Sequence, residues 1–416
     1  MRTAICIVSP GNLASNPRVL KEADALHEAG YAVTAVVCDY SEALRPYDDE
    51  IAARVPWKAI RVSRRAGEGQ IRRIAGAMAK LVVAAGGRVP AALAARAYGG
   101  PVAALQHAAS QVPATLYIGH YVTGLAAAAA AARRTGARLG FDAEDFHAGE
   151  ATGGPGDSFR MSMVRAVESA LLHSCVHVTA AAPLIADAYA MRYGILPATV
   201  LNVFPLAMAP ATLRRSGEQG AFKAYWFSQT IGLDRGLQSF IRAMARAKTR
   251  MTLDIRGSNR WHHGEQLMEL GRELGVADRI SLLPTAPPED MVTLAASYDI
   301  GLSLETDVSE NRGLCLTNKI FTYLLAGVPV LMSDTPAQRA LAPQLGAAAR
   351  LVSLADPEGM AAVLDGLACS PAARTEAAAS AWRLGRERYN WEVEKQVLLG
   401  SVARALEAGK VPAWRH

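Results

Sequence analysis

The feature that most constrains the fold of this chain is a repeated alternation of short apolar strands with helices. Residues 3–9 (TAICIVS) form a β-branched apolar run, and residues 16–30 then place apolar side chains at helical spacing up to Gly30. Residues 31–38 (YAVTAVVC) are the next apolar run. Continuously apolar strands separated by helices are typical of a parallel sheet that is covered on both faces. The first half of the chain therefore predicts a doubly wound α/β domain.

The alternation stops once and then starts again. Residues 205–221 combine prolines, glycines and mixed polarity, as linkers do, and a second series of strands and helices begins at residues 222–228 (FKAYWFS). A chain of 416 residues also exceeds what one hydrophobic core usually supports. We therefore predict two doubly wound Rossmann-like domains, residues 1–205 and 206–389, that face a central cleft. A C-terminal helix from about residue 390 to 416 is expected to pack back on the first domain.

Composition and cysteine usage favour a cytoplasmic protein. The chain is 51% hydrophobic and 20% charged, and its five scattered cysteines lack the spacing of metal ligands, which predicts reduced thiols. The opening residues MRTAICIVS predict a strand rather than a signal peptide. The uncharged stretch between Arg96 and Arg133 is interrupted by polar residues and a proline. It falls short of the roughly 20 continuous apolar residues of a membrane-spanning helix.

The net charge of +6 is unevenly distributed. Between Arg54 and Arg138, thirteen Lys and Arg residues stand against one acid, and residues 70–88 form a basic amphipathic pattern. Two interpretations stay open for this segment. One is a solvated helix face, and the other is peripheral contact of residues 61–96 with an anionic membrane surface at the inner face. Nucleic acid is not an expected partner, because the basic residues are not interleaved with stacking aromatics.

Polar residues follow the predicted strands of the first domain. The turn at residues 10–12 is followed by a helix whose free N–H groups can face an anion, and Arg18 in that helix either reaches an anionic substrate or lies on the surface. His120 ends a second strand. Acids crowd the end of a third, where some must face solvent or pair with a cation. The residues at that end are Asp142, Glu144, Asp145 and His147.

Several motifs that identify other enzyme classes are absent from the sequence. No GxGxxG fingerprint or GxxxxGK[ST] loop occurs, which disfavours a nicotinamide cofactor and a Walker-type nucleotide site. No HExxH, CxxC pair or GxSxG occurs either, so zinc hydrolysis and a serine-hydrolase elbow have no support. We expect no metal site and no cofactor.

The strongest pattern lies in the second domain. Residues 226–245 leave a strand through polar residues and enter a helix at Arg235 and Gly236. A later helix opens with Asn318 and Lys319, and Thr322 follows on the same face. The positive end of a helix dipole, together with Lys319 and Arg235, suits a diphosphate. The alternative is a lysine that is merely exposed at the start of a helix.

Five segments in this order resemble the GT-B glycosyltransferases of the large retaining family four type. They are SNPRVLKEADALHEAGYAV, FDAED, VLNVFP, SQTIGLDRGL and NKIFTYLLAGVPV, and they span both predicted domains. The resemblance implies transfer of a hexose from a nucleoside-diphosphate sugar to a hydroxyl of a glycan or lipid-linked acceptor, with retention of configuration. It also implies that neither a metal nor a dedicated protein nucleophile is required.

The resemblance, together with the positions of polar residues at the strand ends, gives expected roles to individual residues. Catalytic residues are expected at His120, Asp145, Arg235 and Lys319. The donor is expected to contact Gly11, Asn12, Thr230, Arg235, Gly313, Leu314, Asn318, Lys319 and Thr322. The acceptor is expected to contact Arg18 and Glu144.

Three positions depart from the pattern of the family. Thr322 stands where the family usually has a glutamate that binds the nucleotide ribose, Thr230 replaces a second basic residue, and Glu144 replaces a histidine. A threonine hydroxyl makes one hydrogen bond where a carboxylate makes two charge-assisted bonds. Two other functions therefore stay open. One is a GT-B sugar-nucleotide 2-epimerase, and the other is a catalytically silent partner in a glycan-assembly complex.

Overall fold

The computed structural model describes residues 2–63, 67–214 and 221–407, and the chain divides into two compact units. Of the described residues, unit 1 comprises 2–200, 309–311 and 395–407, and unit 2 comprises 201–308 and 312–394. The boundary expected from sequence lies after residue 205, and the structural one lies after Val200. Residues 215–220 of the predicted linker and 408–416 of the predicted C-terminal helix lie outside the described residues.

Unit 1 is built on a seven-stranded parallel sheet in the order β3-β2-β1-β4-β5-β6-β7. Its strands are β1 (Ala4–Val8), β2 (Ala32–Asp39), β3 (Lys58–Ser63), β4 (Leu116–His120), β5 (Arg138–Asp142), β6 (Cys175–Ala180) and β7 (Ala198–Thr199). Its helices are α1 (Pro17–Glu28), α2 (Arg45–Arg54), α3 (Glu68–Ala84), α4 (Ala91–Tyr98), α5 (Val102–Ala109), α6 (Tyr121–Thr135), α7 (Asp157–Leu171) and α8 (Pro183–Tyr193).

Unit 2 is built on a six-stranded parallel sheet in the order β10-β9-β8-β11-β12-β13. Its strands are β8 (Phe222–Thr230), β9 (Met251–Ser258), β10 (Ile280–Leu283), β11 (Ile300–Ser303), β12 (Val330–Ser333) and β13 (Ala349–Val352). The helices from residue 237 onward are α9 (Leu237–Arg246), α10 (His263–Glu273), α11 (Met291–Ala295), α12 (Glu310–Leu314), α13 (Asn318–Ala326), α14 (Pro336–Leu345), α15 (Pro357–Ala368), α16 (Pro371–Glu387) and α17 (Trp391–Glu407). Residues of α12 and α17 are divided between the two units.

The two sheets confirm the predicted fold class. Every strand pair in both sheets is parallel, and the central strands are almost fully buried, as their continuous apolar runs predict. In each unit the strand order reverses once, between β1 and β4 in unit 1 and between β8 and β11 in unit 2. Ligands of doubly wound sheets bind beyond the carboxyl ends of the strands at such a switch point. The exits of these four strands are therefore the places to search for a site.

Helix α13 is held tightly against β8 and β11. The hydroxyl of Tyr323 donates to the backbone oxygen of Tyr225 at 2.9 Å, and its ring covers Gly301, where a Cβ atom would collide with it. The helix ends at Gly327, whose φ of 74° is in the left-handed region that favours glycine. These contacts fix the position of the first turn of α13, which carries Asn318 and Lys319.

No helix within the described residues combines the length and the apolarity that crossing a bilayer requires.

Candidate functional site

Unit 2 gathers three cationic side chains around one buried carboxylate, just beyond the end of β11. One carboxylate oxygen of Glu305 accepts from Lys319 Nζ at 2.8 Å. The other accepts from Arg312 at 2.7 Å and from Arg235 at 3.1 Å. We call these four residues, together with Asp234, the Glu305 cluster. The glutamate side chain is only 2% exposed, so its charge is neutralised by these partners rather than by water.

Local structure explains why the three cations meet there. Arg235 lies in the turn between β8 and α9, and the next residue, Gly236, has a φ of 65° and passes so close to the backbone oxygen of Leu304 that a Cβ would collide with it. Lys319 is the second residue of α13, and Arg312 belongs to α12. The exits of β8 and β11, which flank the switch point, therefore share one group of charges.

The cluster carries more positive than negative charge and is open on one side. Asp234 is its second acid, 3.2 Å from Arg312 and 3.6 Å from Arg235, and it is 45% exposed. Three cations thus face two carboxylates. The side chains of Arg235 and Arg312 are 24% and 25% exposed, whereas Lys319 is nearly buried. An excess of partly exposed, converging guanidinium groups is suited to binding phosphate oxygens.

Unit 1 places a different group of charges at its own switch point. Arg18 forms a bidentate pair with Asp142, at 2.5 and 3.0 Å, and donates to the backbone oxygen of Val200 at 2.7 Å. His120 lies between two carboxylates, 2.5 Å from Glu22 and 3.4 Å from Asp142. We call Arg18, Glu22, His120 and Asp142 the Asp142 network. All four side chains are buried.

The protonation of this network follows from its charges. Burial lowers the pKa of His120, but the carboxylates of Glu22 and Asp142 outweigh that effect and raise it above its ordinary value. Burial raises the pKa of Asp142, but Arg18 and His120 outweigh it and hold it well below its usual range. A protonated His120 with Arg18 balances the two carboxylates. The four charges of the network therefore balance, and within the described residues one oxygen of Glu22 and Nδ1 of His120 make no hydrogen bond.

Glu22, His120 and Asp142 also have ligand atoms within 4.8 Å of one another, which is a spacing that a metal ion could use. The guanidinium of Arg18 already binds both oxygens of Asp142, and a second cation beside it would be repelled. We assign these side chains to an ion-pair network for that reason. The expectation that no metal is required stays a prediction.

Strained backbone marks the ends of β4 and β5. Tyr121 directly follows β4 and has a φ of 57°. Glu144 lies two residues after the end of β5 and has a φ of 54°. Such conformations cost of order 1–3 kcal/mol and cluster at functional sites. Burial and the neighbouring carboxylate of Glu144 raise the pKa of Tyr121 well above its ordinary value. Burial and neighbouring acids also raise the pKa of Glu144, although Arg18 opposes them.

Comparison with known proteins bears on both units. Residues 235–399 match a protein-family model described as "Glycosyl transferase-like". Among solved structures, Anabaena Alr3699/HepE in complex with UDP-glucose aligns with a TM-score of 0.71 at 13% identity, over 97% of this chain and 100% of that one. Sucrose-phosphate synthase from Thermosynechococcus elongatus aligns with a TM-score of 0.69 at 13% identity, over 98% and 100%.

A third structure, the lipopolysaccharide outer core galactosyltransferase WaaB, aligns with a TM-score of 0.62 at 11% identity, over 96% of this chain and 99% of that one. The protein has the GT-B fold. Its resemblance to GT-B glycosyltransferases is therefore confirmed in fold, and residues 235–399 carry the match to the glycosyl transferase-like family model. No curated protein matches it by sequence.

In this GT-B protein, the residues expected to bind a donor fall into two groups. Arg235 and Lys319 meet at Glu305, and Asn318, Gly313 and Leu314 lie beside them in α13 and α12. Lys319 is not an exposed lysine, which excludes that alternative. Thr322 is fully buried, and its hydroxyl donates to the backbone oxygen of Asn318 at 3.0 Å. Its contact with a nucleotide ribose stays a prediction.

The remaining residues expected to contact the donor are engaged in hydrogen bonds or turns within the fold. Thr230 is the last residue of β8, where it pairs with Ser258. The Asn12 side chain is buried and binds Asp48 at 2.8 Å and the backbone of Ser41 at 2.8 Å. It therefore fixes the turn after β1, of which Gly11 is part. The donor contacts of Gly11, Asn12 and Thr230 stay predictions.

Of the residues expected in catalysis and acceptor binding, those in unit 1 lie around the ends of β4 and β5. Arg18 is buried, so it is not the surface residue that was its alternative interpretation. His120 is fully enclosed. Asp145 accepts from the amide of Asn311 at 3.1 Å, and the oxygen of that amide accepts from the backbone of Phe146 at 2.8 Å. Glu144 and Asp145 are both partly exposed.

Sequence reasoning missed Glu305, Arg312 and Glu22. Glu305 follows an apolar strand directly, which is the signal that identified the acids after β5. Glu22 is a single acid among the buried apolar residues of α1, next to Ala23. A lone carboxylate on an apolar helix face predicts a buried ion pair, although it does not identify the partner.

Proposed function

We propose that the protein is a retaining glycosyltransferase that moves a hexose from a nucleoside-diphosphate sugar to a hydroxyl of a glycan or lipid-linked acceptor. The observation that carries the proposal is the convergence of Arg235, Arg312 and Lys319 on Glu305 at the switch point of unit 2. The match of residues 235–399 to a glycosyl transferase-like family supports it. So does the fold shared with HepE, which was solved with UDP-glucose.

The proposed chemistry asks for stabilisation of a departing diphosphate. The bond between the sugar C1 and a diphosphate oxygen breaks, and the acceptor oxygen forms a bond with C1 on the same face. The hydroxyl proton leaves to the diphosphate or to water. Negative charge grows on the diphosphate in this step, and the guanidinium groups of Arg235 and Arg312 with the ammonium of Lys319 would stabilise it. No metal is required in this proposal.

The other expected residues take supporting roles in the proposal. Asn318 with the backbone at Gly313 and Leu314 would bind the donor beside the cations. On the acceptor side, Glu144 and Asp145 follow β5 directly and would bind hydroxyl groups. Because Arg18 and His120 are buried, we propose that they position the β5 exit through Asp142.

We further propose a cytoplasmic location at the inner face of a membrane. Nucleotide sugars are the donors in this proposal, and a lipid-linked acceptor would be held at that surface. The five scattered cysteines of the sequence, whose spacing predicts reduced thiols, support this location.

A thermal-shift panel of nucleoside diphosphates and nucleotide sugars tests the proposal. We expect at least one of them to raise the melting temperature of the wild-type protein, because ligand binding to the native state stabilises it. Lys319→Ala should abolish most of that shift, whereas Lys248→Ala, an exposed lysine of the same unit, should leave it unchanged. Stabilisation by no nucleoside diphosphate would indicate a silent binding partner.

A second measurement separates transfer from epimerisation. With the stabilising donor, release of the nucleoside diphosphate should depend on an added glycan or lipid-linked acceptor, and the product should keep the donor's anomeric configuration. Conversion of the donor to its 2-epimer without any acceptor would contradict transfer and support the epimerase. An inverted product would contradict retention alone.

A further inference from the structure

Helix α3 presents its large apolar side chains to solvent. Ile71, Ile74, Met78 and Leu81 are 49%, 55%, 52% and 70% exposed. Their spacing of three and four residues places them on one face of the helix. Other exposed large hydrophobic side chains in unit 1 occur singly or in short pairs, and single ones need no explanation. A continuous stripe along about three turns of one helix does need one. We call these four residues the α3 stripe.

Within residues 2–63, 67–214 and 221–407, the fold leaves this stripe unburied. The residues of α3 that are buried are small ones, Ala75 and Ala79, and the helix packs with them on α4. Gly76 approaches the ring of Phe159 in α7, and Lys80 Nζ lies 5.3 Å from the centre of the same ring. A surface helix of a globular protein normally turns its large apolar residues inward. Here that orientation is reversed, so another apolar surface is the expected partner of the stripe.

Exposed positive charge lies on the same helix as the stripe and directly after it. Arg72, Arg73 and Lys80 in α3 are exposed, and so is Arg88, which follows the helix. Glu68 is the single acid in the helix. Aliphatic side chains beside a row of cations are the features of helices that lie in the interface of an anionic membrane. Each basic residue near such a surface adds to its attraction for anionic headgroups.

The charge also argues against a second copy of the chain as the partner. Two copies that paired their α3 stripes around a two-fold axis would bring the same cations together, and like charges across an interface repel. An anionic lipid surface instead complements both properties of the helix.

We propose that α3 is a membrane-docking surface. The α3 stripe enters the boundary between lipid headgroups and acyl chains, and Arg72, Arg73, Lys80 and Arg88 contact the anionic headgroups. This surface lies in unit 1 and is separate from the Glu305 cluster in unit 2. The proposal therefore goes beyond sugar transfer and does not depend on it.

Cosedimentation of the full chain with lipid vesicles tests the proposal. We expect wild-type protein to bind vesicles that contain phosphatidylglycerol, and to bind phosphatidylcholine vesicles at least about tenfold more weakly, since the surface charge supplies much of the attraction. The double variant Ile74→Ser/Leu81→Ser should lose at least about tenfold in affinity for the anionic vesicles, because burial of these side chains drives insertion. The variant Arg72→Ser/Arg73→Ser should lose binding to a similar extent.

A matched variant controls for surface hydrophobicity in general. Met191→Ser/Leu196→Ser removes two side chains that are 83% and 72% exposed elsewhere in unit 1, and it should bind like wild type. Melting temperature and nucleotide-dependent thermal shift should be unchanged in all variants, which separates loss of docking from loss of folding or of donor binding. Equal binding by the stripe variant would overturn the proposal. A wild-type dimer that the stripe variant converts to a monomer would assign the stripe to a second copy instead.

Discussion

Two charge clusters occupy equivalent places in the two sheets of this protein, and they differ in balance and in exposure. In unit 1, the Asp142 network pairs two cations with two carboxylates, and all four side chains are buried. In unit 2, the Glu305 cluster sets three cations against two carboxylates, and both arginines are about a quarter exposed. Both lie at the switch point of a doubly wound sheet.

Charge balance and exposure together distinguish a structural ion network from a binding site. A balanced and enclosed network has no charge left for a ligand, so its role is to hold strand exits in place. A partly exposed one with more cations than carboxylates among its members keeps guanidinium groups that an anionic ligand can reach. Location at the switch point alone does not distinguish the two. The following predictions test the distinction, from the largest expected effect to the smallest.

Breaking the Asp142 network should cost the most stability. Asp142→Asn removes the buried carboxylate that pairs with Arg18, whereas His120 keeps its contact with Glu22, and loss of one partner of a buried pair typically costs about 3–5 kcal/mol. The free energy of unfolding in urea measures this. As a control, Glu387→Gln breaks an exposed pair with Arg383 and should cost less than about 1 kcal/mol. A small effect of Asp142→Asn would mean that the network is not a structural element.

Raising the pH should weaken unit 1. His147 is buried beside Glu150 at 2.7 Å; burial lowers its pKa, but Glu150 outweighs this and raises it to about 9. Its contribution to stability is present in full below the ordinary histidine pKa of about 6.5 and is lost as the pH rises through 9. The loss is up to about 3 kcal/mol. The raised pKa of His120 acts in the same direction.

The measurement is urea unfolding between pH 6 and pH 10, with His147→Gln and with His173→Gln, an exposed histidine, as the matched control. The free energy of unfolding should fall less with rising pH in the His147 variant than in wild type, and it should fall as in wild type in the control. The Glu305 cluster contains no histidine, so nucleotide affinity should change little from pH 6.5 to 8.5. An unchanged pH slope in His147→Gln would contradict the assignment.

Removing one cation from the Glu305 cluster should weaken anion binding more than stability. Arg312→Ala deletes a guanidinium that we propose binds the donor diphosphate. Hydrogen bonds to charged groups contribute about 1.5–3 kcal/mol, which corresponds to a loss of roughly 10- to 100-fold in affinity. Calorimetric titration with the nucleoside diphosphate that stabilises wild type best would measure it. Arg250→Ala, an arginine exposed on the surface of the same unit, should bind like wild type. If Arg312→Ala and Arg250→Ala bound the nucleoside diphosphate with the same affinity, the cluster would not be the donor site.

Removing the exposed acid of the cluster should have the smallest effect and the opposite sign. Asp234 contacts Arg312 and Arg235 from the open side, where we propose that phosphate oxygens approach. Asp234→Asn should therefore raise the affinity for the same nucleoside diphosphate by about two- to fivefold, since exposed ion pairs are worth up to about 1 kcal/mol. Asp307→Asn, an exposed acid after β11 that is outside the cluster, is the control. Weaker binding by Asp234→Asn would show that this acid orients the arginines rather than competing with the ligand.

Local patterns in the sequence are enough to predict the two parallel sheets and the strand ends beside which the two charge clusters lie. Apolar runs and helical spacing are properties of neighbouring residues, so the order of strands and helices follows from them. Arg235 and Lys319 were both placed after strands of the second series, and the structure brings them to one carboxylate. That carboxylate, Glu305, carries a sequence signal in its position after an apolar strand, but its pairing with Arg235, 70 residues earlier, is a tertiary contact.

The sequence by itself determined the α/β class, the two series of strands and the cationic character of residues 54–138. Tertiary structure alone decided which charges meet, as in the pairing of Arg18 with Asp142 and of Glu22 with His120, since such contacts depend on how distant strands align. It also decided the orientation of α3. Helical spacing shows that α3 has an apolar face, but close packing on α4 selects the small residues Ala75 and Ala79, and the larger side chains are left outside.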